Sequence, residues 1–167
     1  MTTTSMDDIK RLREETGAGI MDCKRALEDA DGNLEQAKKL LRERGIAKAE
    51  RRTGREAGQG LIHCYDHGGR VGAMVEVNCE TDFVARTEDF KQLVHEIALQ
   101  VASMNPKYVS REAMPEGSDE EPKQVALLDQ DYIRDSRHTI RQLIQETVAK
   151  TGENIRVSRF VRYELGQ

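Results

Sequence analysis

Tryptophan is absent from this chain of 167 residues and phenylalanine occurs three times, so aromatic packing cannot dominate its core. Aliphatic side chains must fill that role, and each aromatic position becomes informative. Three cysteines, Cys23, Cys64 and Cys79, are an odd number at spacings that match no disulfide framework, which excludes a small cross-linked scaffold and predicts reduced thiols. No apolar run approaches the roughly 18 residues needed to cross a bilayer. The opening "MTTTSMDDIKRLREE" has no basic segment followed by an apolar one, so no membrane association and a cytoplasmic address are expected. Neither sign of charge is in large excess: 26 basic against 30 acidic side chains give −4, which argues against a whole-molecule binder of phosphate backbones. A glycine-rich phosphate loop is lacking too, with no G-x-G-x-x-G after a strand and no Walker sequence, so no bound nucleotide cofactor is expected.

What is present divides into two patterns. Residues 1–45 read as a three-helix module. Met6, Ile9 and Leu12 recur at helical spacing behind a Ser5–Asp8 capping box and before Gly17; Ile20, Cys23, Leu27 and Ala30 share the next face. The third helix opens at Asn33, with Gln36 in the capping position, and is expected to stop at Gly45. Residues 46–58, "IAKAERRTGREAG", read as a charged linker.

Residues 59–167 read as an α+β core of three antiparallel strands packed on helices. A hairpin over 60–79 is expected to turn at Gly68-Gly69, which puts Ile62 and Cys64 on the core face with Val71, Ala73, Val75 and Val77. From Thr87, Phe90, Leu93, Val94, Ile97, Ala98, Val101 and Ala102 keep an unbroken helical rhythm, predicting a helix over 87–104. Pro106, Pro115 and Pro122 punctuate an acidic stretch read as a loop over 105–131. A helix over 135–151 and a strand over 154–165 complete the core.

Several constellations bear on chemistry. His63, Cys64, His67 and Cys79 are ligand types close in sequence, but neighbours on a strand point to opposite faces, so no metal site is expected. No histidine is spaced to activate a cysteine, and the paired carboxylates fall on solvated faces, so no enzyme active site is expected. The corner "ETDFVAR" holds the remaining interest. Periodicity leaves two arrangements open: an early helix start that buries Phe83 with Phe90, or a projecting tip of Thr81, Asp82, Phe83 and Val84 that anchors a partner.

Five segments in order, "TGAGIMDCKRAL", "HGGRVGAMVEVN", "ETDFVAR", "MNPKYVS" and "GENIRVSRFVRYELG", resemble the bacterial elongation factor Ts family. The resemblance implies a guanine-nucleotide exchange factor for elongation factor Tu, bound in its GDP-loaded and nucleotide-free states, with a small helical module ahead of an α+β core. It implies that Thr81, Asp82, Phe83 and Val84 enter the Tu nucleotide site and dislodge its Mg2+. It further implies that Thr16, Gly17, Ala18, Gly19, Ile20, Met21, Asp22 and Lys24 belong to the module that grips the Tu GTPase domain. Ile20 stands where the family usually has Met, which keeps the contact apolar. Many members duplicate the core; this chain has one copy, like the short form of the family, and a homodimer would supply the missing half. Three other readings compete with this one. The helical module, which resembles a ubiquitin-associated fold, could serve another partner; Lys48, Arg51, Arg52 and Arg55 could serve RNA or the ribosome; the thiols could serve an enzyme.

Overall fold

Ser5 opens the residues described by the computed structural model, 5–167, and caps α1 (Met6–Thr16) by accepting from the Asp7 amide at 3.2 Å. That bond falls one residue short of the expected partner, Asp8. Gly17 closes the helix in the left-handed conformation at φ 68°, which a side chain would oppose. α2 (Ile20–Asp29) and α3 (Leu34–Glu50) follow, the latter capped by Asn33, whose side chain accepts from the Gln36 amide at 3.0 Å. Ile9, Leu12, Cys23, Ala26, Leu27, Ala37 and Leu41 bury one another in a small core of their own. Ile20, expected on this buried face, is 49% exposed.

α3 does not stop at Gly45. It runs five residues further, so the expected linker is helical over its first part, and Ala49 within it is 4% exposed and belongs to the second core. Gly45 is tolerated mid-helix because a neighbour comes close: a Cβ there would lie 3.1 Å from that of Ala149.

The second core begins with β1 (Gln59–His67) and β2 (Val71–Cys79), paired antiparallel. His67 pairs with Val71, so the loop is Gly68-Gly69-Arg70, three residues where two were expected. One added residue slips the register by one and turns β1 over. Leu61, His63 and Tyr65 therefore share the inner face with Val77, Val75 and Ala73, while Ile62, at 62% exposure, and Cys64 face solvent. Cys64 pairs with Met74, not with Ala73.

α4 (Asp82–Ala85) is one turn, and α5 (Glu88–Met104) begins after Thr87, whose hydroxyl accepts from the Phe90 amide at 3.3 Å. The apolar stripe of α5 is buried as its periodicity predicts, from Phe90 to Ala102. The stretch read as a loop over 105–131 is more ordered than that. It contains a 3-10 turn at Arg111–Ala113, α6 (Pro122–Val125), a second 3-10 turn at Leu127–Asp129 and the start of β3 (Asp131–Tyr132). Val125, Ala126 and Leu127 are buried, and the Val125 carbonyl accepts from the amides of Lys107 and Tyr108. β3 pairs with β4 (Asp135–Thr139), which occupies the start of the helix expected over 135–151. α7 (Ile140–Thr151) begins only after Thr139, where a full capping box with Gln142 fixes the boundary.

β5 (Ile155–Glu164) pairs antiparallel with β2, giving the order β1-β2-β5. The fold is α+β as read. α5 and α7 cover one face of the sheet, and α3 lies along α7, where Arg42 meets Glu146 at 3.2 Å.

Replacing Ala49 by Asp separates a packed helix end from a solvated linker. The packed arrangement predicts a loss of about 3 kcal/mol in unfolding free energy, from burying an unpaired carboxylate. A solvated linker would leave the urea transition within about 0.5 kcal/mol of the parent.

Candidate functional site

The corner after β2 resolves the ambiguity over Phe83. Thr81 caps α4 by accepting from the Val84 amide at 3.4 Å, and Arg86–Thr87 breaks the helix before α5. Because α4 and α5 are separate, Phe83 does not share a buried stripe with Phe90. Phe90 is fully buried and Phe83 is 77% exposed, the most exposed of the large apolar side chains among the described residues. Ala85 is buried and Val84 packs against the core, so one side of the turn is anchored while the other projects. Asp82, beside Phe83, pairs with Arg86 at 2.9 Å across one helical turn. This exposed pair contributes only about 0.3–0.5 kcal/mol, which leaves the carboxylate available to another cation.

The base of the tip is polar and dense with bonds. Glu153, just after α7, accepts from both the amide and the hydroxyl of Thr81, at 2.9 and 2.6 Å. Glu80 accepts from the Asn154 amide at 2.7 Å. The Cys79 thiol donates to the Thr81 carbonyl at 3.1 Å. Burial, with the Glu153 carboxylate adding to it, pushes that thiol up to about 11, so it stays protonated at neutral pH. Sequence reading singles out Thr81, Asp82, Phe83 and Val84 but not Glu80, Glu153 and Asn154, which bond at their base. No spacing rule links Glu153, in the segment "GENIR", to Thr81, because 72 residues separate them.

The eight residues singled out near the N-terminus divide into two groups. Thr16, Gly17 and Ala18 form the turn between α1 and α2: the Thr16 hydroxyl donates to the Leu12 carbonyl at 2.6 Å and accepts from the Ala18 amide at 3.3 Å. They line a groove of about 650 Å³ shared with Lys38, Arg42 and Lys150. Gly19, Ile20, Met21 and Lys24 are exposed, with Met21 at 59%. Asp22 is half-buried and pairs with Lys48 at 3.0 Å. Ile20 and Met21 thus form an apolar patch on the outer side of the helical module.

The ligand types near the hairpin do not converge. His63 meets His95 at 3.2 Å on the inner side, where burial and the neighbouring imidazole lower its pKa. His67 approaches the Tyr65 hydroxyl at 3.2 Å, Cys64 is on the outer face, and Cys79 is buried. Among the described residues no group of three or more His, Cys, Asp or Glu side chains is placed to hold a metal ion. None of the described helices is long and apolar enough to cross a membrane.

An exposed aromatic on a pinned turn and an apolar patch on a helical module are outward apolar features of this α+β protein. The family model described as "Elongation factor TS" matches residues 34–125. The chain is 50% identical to elongation factor Ts of Coprothermobacter proteolyticus, over 95% of this chain and 96% of that protein. It is 45% identical to elongation factor Ts of Thermoanaerobacter sp. strain X514 (98% and 95% covered) and 46% identical to that of Thermotoga neapolitana (98% of each). The chain belongs to the elongation factor Ts family, whose place is in the elongation stage of protein biosynthesis. The first of these alignments runs over 190 positions, more than the 167 residues of this chain, so that relative carries residues this chain lacks.

Burial orders the thiols by reactivity. At pH 8 an alkylating reagent is expected to modify Cys64 first, with Cys79 and Cys23, whose pKa burial also raises, slower by at least about tenfold in the folded protein. Mass spectrometry of the timed digest checks the order.

Proposed function

We propose that this chain is a guanine-nucleotide exchange factor for elongation factor Tu. It binds the GDP-loaded form, dislodges Mg2+ and promotes GDP release so that GTP can enter. The observation that carries this reading is the exposure of Phe83 on a turn whose base is fixed by side-chain bonds. A rigid aromatic that projects from a scaffold is a strong anchor, because little conformational freedom is lost when it inserts.

In this reading Thr81, Asp82, Phe83 and Val84 are the residues that enter the Tu nucleotide site. The helical module of residues 1–45 grips the GTPase domain, with Ile20, Met21 and Lys24 projecting and Thr16, Gly17, Ala18, Gly19 and Asp22 shaping that surface. A GTPase holds GDP largely through Mg2+ and backbone amides around the phosphates, so displacing the metal leaves phosphate charge uncompensated. Phe83 holds the displaced arrangement, and the Asp82 carboxylate disfavours the phosphate side further by like charge. Coupling is reciprocal: nucleotide weakens the factor's binding by the factor by which the protein weakens nucleotide binding, so incoming GTP ejects it. No covalent bond changes, so exchange proceeds by binding alone, with no cofactor and no enzyme chemistry.

The RNA reading fits the molecule less well. Lys48 pairs with Asp22, Arg52 donates to the Val148 carbonyl at 3.2 Å, and Arg55 lies 3.6 Å from Glu80. Three of the four cations have partners within the chain, so a phosphate backbone would compete with two carboxylates and a carbonyl for them. A homodimer also belongs to the proposal. The outer sheet face exposes Ile62, Cys64, Met74, Val161 and Tyr163 on adjacent strands, an apolar area that a second copy would cover. Sedimentation at working concentration is expected to give twice the chain mass, and a monomer there refutes the dimer.

Release of a fluorescent GDP analogue from elongation factor Tu tests the exchange reading. The parent chain is expected to accelerate release, and folded Phe83→Ala to lose about thirtyfold of that acceleration, the scale of a central anchor of about 2 kcal/mol. Asp82→Ala is expected to lose less. No acceleration by the parent chain overturns the proposal.

A further inference from the structure

The β2–β5 ladder ends at the pair Cys79–Ile155. Beyond it the two strands diverge: one leads into the tip through Glu80 and Thr81, the other comes from α7 through Glu153 and Asn154. Amides past the end of a ladder need other acceptors. Here each strand supplies one to the other from a side chain. Glu153 takes the Thr81 amide at 2.9 Å and Glu80 takes the Asn154 amide at 2.7 Å, so two carboxylates continue the ladder where carbonyls no longer reach.

Glu153 does more than satisfy an amide. Its second oxygen accepts the Thr81 hydroxyl proton at 2.6 Å, which commits that hydroxyl to donate in one direction. The lone pair left over faces the Val84 amide, the capping bond of α4. The orientation of the one turn that carries Phe83 is therefore set from Glu153 through Thr81. Asn154, at 4% exposure, completes the base: its side-chain amide donates to the carbonyls of Thr53 and Arg55 at 3.3 and 2.7 Å, in the segment that follows α3. The exit of the helical module, the root of β5 and the root of the tip meet at this point.

We infer that Glu153 is a positioning residue for the tip, acting through Thr81, with Glu80 and Asn154 holding the opposite strand. Its role in exchange rests on the exchange reading above; its role in shaping the tip does not. A charge-assisted, two-point bond of this kind is worth more than a neutral one and is lost as a unit. Without it the Thr81 amide is left half-buried and unpartnered, and α4 can rotate about its root. Phe83 would still be present and exposed, but no longer held at one angle. Binding would survive better than the step that needs the aromatic in one place.

The test uses the full chain with Glu153→Ala and Glu153→Gln, after circular dichroism confirms folding. Two readouts are taken: hydrogen exchange of the Thr81 and Val84 amides in the free protein, and, with elongation factor Tu, affinity and GDP release at saturation. Glu153→Ala is expected to speed exchange at both amides at least about tenfold and to lower saturated release about tenfold, with affinity changed less than about threefold. Glu153→Gln keeps one acceptor oxygen and is expected to fall between; it carries the test alone if the alanine variant does not fold. Unchanged amide protection overturns the inference outright. Equal losses of affinity and saturated release overturn it as well, since that pattern marks general damage to binding. If the parent chain fails to accelerate release, the exchange reading falls, and the amide exchange alone decides whether Glu153 shapes the tip.

Discussion

The burial of β2 is the constraint on which the rest depends. It is the central strand of three, with Val75, Val77 and Cys79 against the stripe of α5 that runs from Phe90 to Val101. A central strand has partners on both sides, so its register fixes both neighbours at once. Its two ends then become the informative places. One end enters a loop whose length decides which face of β1 is wet; the other launches α4. A displacement of β2 by one residue would invert the sheet and redirect the tip, which is why the apolar content of this short strand matters beyond its share of buried area.

The helical module has a core of its own, but it is small, built on side chains such as Leu12, Leu27 and Leu41. Such a core supplies little stability by itself. α3 compensates by serving two cores: Ala37 and Leu41 on its first half face the helical one, and Ala49 near its end is buried among residues of the sheet layer. The contact with α7 is close because Gly45 has no side chain.

The sequence was legible where one face of one element decides the outcome. The α5 stripe follows from periodicity, because the helix buries the face its pattern marks, and the caps at Asn33 and Thr87 follow from residue type. The register of the hairpin was not legible: two glycines announce a turn, but whether Arg70 belongs to it depends on Tyr65 and His63 finding places under the sheet. The end of α3 was hidden for a similar reason, since a glycine that usually stops a helix is retained when a neighbouring helix presses on it. Residues 135–139 form a strand only because residues 131–132 are there to pair with. For the site, family resemblance pointed to the tip, while periodicity alone could not place Phe83. Glu153 could not be found at all, because its partner lies far along the chain and only the fold brings the two together.

A single rod shared by two cores has a metrological consequence. α3 has 17 residues, roughly 25 Å of helix, and it cannot lengthen without stripping apolar atoms from one core or the other. On the proposed reading, in which the patch at Ile20–Met21 and the aromatic at Phe83 both meet the partner, this shared frame sets their separation, like the two jaws of a caliper locked at one setting. A tethered pair of surfaces would engage any partner within reach of the tether; a locked pair favours a partner whose own two sites stand at the matching distance. Discrimination of this kind resides in the frame, so it survives exchanges of surface residues that leave the frame intact and is lost when the frame is loosened.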